Sequence, residues 1–173
     1  MNKVSMDGEI RIHFSQRLFW AISAMFLVFN SCFLLFQYQR EKEFAEEKLN
    51  NVLSNYNYQL FRKCLNSKDI ALTVEEFMQD IPQHDLRVTI IDPSGHVLFD
   101  NSGTDELDNH NDRSEVKKAR LQNEGFAIRS SSSTGKRYFY SASNIGGYIY
   151  RSALQYDPYV KAVLKINMDF AYF

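Results

Sequence analysis

The stretch Leu18 to Phe36, LFWAISAMFLVFNSCFLLF, limits what this chain can become more than any other feature. It carries no charged residue and ends against Gln37, Tyr38, Gln39 and Arg40. At helical rise it spans about 28 Å, close to the ~30 Å hydrocarbon core of a bilayer. Trp20 and Tyr38 suit the two headgroup zones. The sequence therefore predicts a membrane-spanning helix over residues 18–38. Ser23, Asn30 and Ser31 interrupt it. A serine can bond back to its own helix, whereas Asn30 is costly in lipid and is expected to seek a partner helix.

Other readings fit less well. Soluble buried helices rarely lack a charge for so long. A cleaved leader would have a shorter apolar region and a small-x-small cleavage site, and Gln37-Tyr38-Gln39 offers none. Cys32 lies inside the apolar run, so it is no lipidation cysteine. Orientation stays open on charge alone: Lys3, Arg11 and Arg17 precede the span, and Arg40, Lys42 and Lys48 follow it.

A chain of 173 residues has room for this anchor and one small domain. With 20 basic and 21 acidic residues and no basic cluster, it lacks a nucleic-acid footprint. Cys32 and Cys64 match no metal or redox spacing, and lie too far apart on one helix for an internal disulfide. Abundant aromatics, 14 Phe and 10 Tyr, supply core for a small domain.

The tail before the span is expected to lack structure over Met1–Gly8, with helix from about Ile10. After the span, residues 40–65 contain no Gly or Pro and are rich in helix formers. Leu49, Val52, Leu53, Tyr56, Leu60 and Cys64 draw one stripe. That stripe is expected to pair with a second copy near the membrane and to pack on its own domain further along. Thr73-x-x-Glu76 reads as a capping box opening a short helix, which Pro82 stops. Residues 86–92 and 96–100 read as strands joined by the turn Pro93-Ser94-Gly95. Asp112-x-x-Glu115 reads as a second capping box, opening a helix to Gln122 that Glu124-Gly125 breaks. Residues 126–131, 136–143 and 148–154 form a meander, and Asp157-Pro158 suits a helix start. The class is α+β: a transmembrane helix continuing into a long helix, then a five-stranded antiparallel sheet.

This order resembles the extracytoplasmic sensor region of bacterial two-component histidine kinases, especially the phosphate-regulon type. The resemblance rests on Arg87-Val88-Thr89-Ile90-Ile91-Asp92-Pro93-Ser94-Gly95-His96-Val97-Leu98-Phe99-Asp100. It rests also on Asn109-His110-Asn111-Asp112-Arg113-Ser114-Glu115-Val116, where Ser114 replaces the family's usual proline. Gly125 to Ser130 and Lys136 to Tyr140 continue it. The likeness implies a PAS-like sensor domain over 86–165, a cytoplasmic tail over 1–17, a helix and connector over 39–85, and a second span beginning in 166–173. It also implies an inner-membrane location and a cytoplasmic kinase partner, and the stripe on helix 40–65 is where a homodimer is expected to form. The chain shows no kinase core. His84-Asp85-Leu86-Arg87 imitates a phosphoacceptor box, but Val88-Thr89 stands where Ser/Thr-Pro belongs and the tetrapeptide leads into a strand.

Candidate sensor residues are Asn109, His110, Arg113, Arg129, Tyr138 and Tyr140. His110 and Arg113 are expected to pin their loop over the sheet rather than hold a ligand. Arg129, with the two tyrosines, is placed on central strands; it can bind an anion, although a solvated strand residue is the expected reading. Residues 105–112 collect oxygen ligands and one imidazole, but the spacing fits no EF-hand or zinc motif, so no metal and no cofactor is assigned. No nucleophile and base stand in a catalytic arrangement. The expected function is a signal-sensing module without enzymatic activity. The alternatives are a stand-alone single-span interaction protein and the same sensor on a different output. A reading frame continuing past Phe173 into a second span and kinase would favour the first.

Overall fold

The computed structural model describes residues 3–102, 109–131 and 135–159, with side chains from residue 14 onward. The chain falls into two units, Met1–Glu43 and Phe44–Phe173. Helix α1 runs over Lys3–Cys64. It begins ahead of the expected start at Ile10, because the lone Gly8 costs a helix only about 1 kcal/mol and no proline intervenes.

In the first unit the apolar side chains from Leu18 to Phe36 point outward; Trp20 is 69% exposed and Met25 70%. This is the described helix long and apolar enough to cross a membrane, by length and composition. Asn30, like the serine beside it, bonds back to its own helix. Its amide donates to the Phe26 carbonyl at 2.7 Å, and Ser31 donates to Leu27 at 2.9 Å. Both side chains use the carbonyl four residues back, so the helix itself takes up these donors.

In the second unit, Ala45, Leu49, Leu53, Asn57 and Leu60 of α1 are buried. Their spacing of three and four keeps them on one face. Val52, Tyr56 and Cys64 are half-buried at its margin. Arg62 and Lys63 occupy the last turn, where cations suit the helix dipole. Helix α2 (Ile70–Asp80) is capped four residues before the expected cap, Thr73. Asp69 is the N-cap: its carboxylate accepts from the Leu72 amide at 3.2 Å. Thr73 is instead buried inside the helix, donating to the Asp69 carbonyl. Ile81 leaves the helix extended, as a residue before proline should.

Five strands follow: β1 Arg87–Ile91, β2 Val97–Asp100, β3 Glu124–Ser130, β4 Arg137–Ile145 and β5 Tyr148–Gln155. They form one sheet in the order β2-β1-β5-β4-β3, with every neighbouring pair antiparallel. The fold is α+β, as the periodicities predict. Strand alternation sorts the sheet into two cores. Val88, Ile90, Phe139, Tyr150 and Leu154 pack with Leu49, Leu53 and Leu60 of α1 and Val74 and Phe77 of α2. Ile91, Val97, Ala142 and Ile149 pack with Val116 and Ala119 of α3 (Ser114–Gln122). Each fully buried Leu or Phe contributes about 1.5–3 kcal/mol.

Two glycines fix how the second layer sits. Gly95 has φ +96°, and a Cβ there would fall 2.4 Å from the side chains of Asn109 and Asn111. A Cβ on Gly125 would fall 2.5 Å from the Glu115 carbonyl. Both positions need a residue without a side chain if the segment 109–111 and α3 are to lie this close.

The second capping box is corrected as well. Arg113 is the N-cap of α3 and makes no side-chain cap bond. Asp112 is exposed and pairs with Lys117 at 3.0 Å. Glu115 is withdrawn into the interior by arginines. Asn123, in the left-handed conformation at φ 67°, ends the helix one residue before Glu124. Residues 156–159 are helical. Residues 103–108 of the acidic loop, 132–134 at the second hairpin, and everything after 159, including the expected second span at 166–173, lie outside the described residues.

Candidate functional site

On the α3 side of the sheet, register brings charged side chains from four strands together. Thr89 pairs with Asp100 and Arg151, Arg151 with Ala142, and Arg129 with Tyr138. Glu115 enters this face from the first turn of α3. Arg151 is 2% exposed and Glu115 fully buried. Both Arg129 Nη2 and Arg151 Nη1 donate to Glu115 Oε1, at 3.1 and 3.2 Å. Arg151 Nη2 also donates to Thr89 Oγ1 at 2.9 Å and lies 4.0 Å from Asp100 Oδ2. Tyr140 lies against both guanidiniums, whose central carbons are 4.0 Å (Arg129) and 5.1 Å (Arg151) from its ring centroid. Arg87 grips Asp100 with Nε and Nη2 at 3.1–3.3 Å, and Thr89 Oγ1 donates to Asp100 at 2.8 Å.

The protonation states follow. Burial pushes Glu115 up, but Arg129 and Arg151 outweigh it and hold the carboxyl below its ordinary range. Asp100 is likewise raised by burial, then held low by Ser102, Arg87 and Thr89. His110 is pulled down to about 4, by burial first and then by the charges of Arg151, Arg113 and Arg129. It is therefore neutral near pH 7. Its amide donates to the Gly95 carbonyl at 2.8 Å, which fixes the segment against the β1–β2 turn.

Of the residues singled out from sequence, His110, Arg113, Arg129 and Tyr140 meet at this face, and Tyr138 tilts against Tyr140 with centroids 6.0 Å apart. Asn109 does not join them. It is exposed and clips the turn, donating to the Ser94 carbonyl at 3.1 Å. Arg129 is not a solvated residue, since it is ion-paired and its side chain is 23% exposed. Nor is its strand central: β3 is an edge. Sequence reasoning missed Arg151, Glu115, Thr89 and Asp100. Alternation in Ile149-Tyr150-Arg151-Ser152-Ala153 offered the signal, since it places Arg151 in phase with two buried apolar neighbours. Arg120 was missed too; it donates to the Asp92 carbonyl at 2.9 Å and to Asn111 Oδ1 at 3.1 Å, stapling two turns to α3.

The opposite face is tied to α1 by a polar seam. Asn57, 1% exposed, donates to the Ser141 carbonyl at 3.1 Å and to Ser143 Oγ at 3.2 Å, and accepts from Ser152 Oγ at 2.6 Å. Ser141 donates to Asn50 at 2.8 Å and Ser54 to Glu124 at 2.7 Å. Tyr156 donates to Glu46. No group of acids, histidines or cysteines suited to a metal occurs among the described residues.

No protein-family model matches this chain, and no curated protein matches it. Solved structures do. One is the extracellular domain of a histidine-kinase candidate, rpHK1S-Z16, at 12% identity and TM-score 0.36, over 42% of this chain and 31% of that one. Another is the Bacillus subtilis YkuI protein, which has an EAL domain and was solved with cyclic di-GMP and calcium. It matches at 16% identity and TM-score 0.43, over 64% of this chain and 32% of that one. The chain thus spans about a third of each. Likenesses this loose say nothing about what the chain does.

Proposed function

We propose that this chain is the membrane-anchored sensing module of a two-component histidine kinase. Residues 1–17 would lie in the cytoplasm, 18–38 would span the inner membrane, and 39–85 would lead into a PAS-like sensor at 86–165 outside it. Residues 166–173 would begin a second span. The kinase would follow, and this region itself would transfer no phosphate. The observation that carries the reading is α1. An uncharged span long enough for a bilayer belongs to the same helix whose later turns are latched onto a sensor-sized sheet. The strand order is compatible with a PAS-like sheet, and the hairpin and Asn109–Val116 motifs support the family.

The mechanism would be conformational. A stimulus at the arginine face would favour one of two positions of α1 relative to β4 and β5, and the span would pass that choice inward. Two copies would pair through helix 40–65, whose Phe44 is 61% exposed. The test uses the full-length kinase that carries this region. Deleting Asp92–Gln122 should abolish its response while membrane insertion persists; an unchanged response contradicts the proposal.

A further inference from the structure

The cluster around Tyr140 holds more donors than acceptors. Arg129 and Arg151 share one carboxylate oxygen. Arg129 Nε, Arg151 Nε and His110 Nδ1 are all buried and have no hydrogen-bond partner among the described residues. Buried donors are nearly always satisfied, and a guanidinium that serves only to bind its neighbours would satisfy its Nε as well. Arg151 is 2% exposed and His110 7%, so water is largely excluded from these groups. Asp100, the other carboxylate nearby, is already engaged by Arg87, Thr89 and Ser102.

We propose that the Arg129–Arg151–His110 cluster is the binding site for a small oxyanion, a carboxylate or a phosphate group. Its oxygens accept from the two Nε–H groups, which remain unpartnered while Glu115 and Thr89 take up Arg129 Nη2 and both Nη groups of Arg151. His110 joins the site as an uncharged donor in its Nδ1–H tautomer. Arg113 adds positive field beside His110. Entry is from the side of Arg129 and Tyr138, both only half-buried. This inference rests on the sensor reading for its biological meaning, since it names the ligand class of that same face.

The experiment is an arginine Nε–H titration by two-dimensional NMR on the full chain, labelled with nitrogen-15 and held in detergent micelles. Sodium phosphate and sodium acetate are added separately, with sodium chloride at matched ionic strength. The Nε–H signals of Arg129 and Arg151 should move together and saturate in the millimolar range or below with one of the two oxyanions, and stay still in chloride. Which salt acts distinguishes a phosphate source from a carboxylate source. Arg129→Gln should weaken the response of Arg151 about tenfold or more. An undisturbed Arg120 signal would certify the fold of that variant, and if it fails to fold, the wild-type titration decides alone. Signals that ignore both oxyanions, or answer chloride equally, overturn the inference. That outcome leaves the sensor reading standing, because deletion and topology test it separately.

Discussion

Arg151 and Ser152 are neighbours on β5 and serve opposite faces of the sheet: the guanidinium meets Glu115 at 3.2 Å and the next hydroxyl meets Asn57 of α1 at 2.6 Å. A shift in one strand therefore reaches both the charged cluster and the helix that leads to the apolar span. Packed layers of this kind move between discrete arrangements rather than deforming continuously.

Glu115 is the keystone of the charged face. Glu115→Ala leaves two guanidiniums without their shared acceptor and should cost about 3–5 kcal/mol, read from urea unfolding. Replacing Glu115 and Arg151 together by Leu and Met should cost much less than the sum of the single changes. Additive losses would show that the pair is not coupled.

Acid should weaken the fold in a defined window. His110 titrates at about 4 when folded, against 6.5 ordinarily, so the unfolded chain binds the extra proton between these values. Stability is full above about pH 6.5 and falls as pH drops toward 4, by up to ~3 kcal/mol. Glu115 and Asp100, both held low, lose their share as pH falls further through their folded values. His110→Gln should flatten the slope between pH 6.5 and 4 while leaving the more acidic limb intact; an unchanged slope would place the proton elsewhere.

The latch on the other face is Asn57. Asn57→Ala leaves the Ser141 carbonyl and the hydroxyls of Ser143 and Ser152 short of a partner, and should cost about 2–3 kcal/mol. Hydrogen exchange should rise in residues 44–64 and in β4 and β5. Protection unchanged in α1 would show that apolar packing alone holds it.

The proposed dimer places the outward face of α1 between two copies. Asn51 is exposed there, near Phe44 and Lys48. Asn51→Cys, with Cys32 and Cys64 changed to Ser, should cross-link in native membranes under mild oxidation, whereas the same change at Leu121 should not. Equal cross-linking at both positions would contradict a specific seam.

Much of the fold was legible because periodicity is a local signal. The apolar span, the five strands and the stripe Leu49–Leu53–Leu60 all announce themselves within a few residues. The caps were misread because a capping box is only a pattern of residue types. Glu115 matched the pattern, yet its carboxylate is taken by two arginines distant in sequence. Thr73 was likewise claimed by the helix interior once Asp69 supplied an earlier cap. Half of the charged site was legible, through His110, Arg113, Arg129 and the two tyrosines. Arg151 was not, since a lone arginine in an apolar strand shows its purpose only when the register brings Thr89 and Glu115 to it.

The most direct test of the account is topology. Reporter fusions placed after Arg17 and after Leu154 read which side of the membrane each point occupies. The account predicts the first inside the cytoplasm and the second outside. A cytoplasmic reporter after Leu154 would contradict it, because the charged face could then meet only internal ligands.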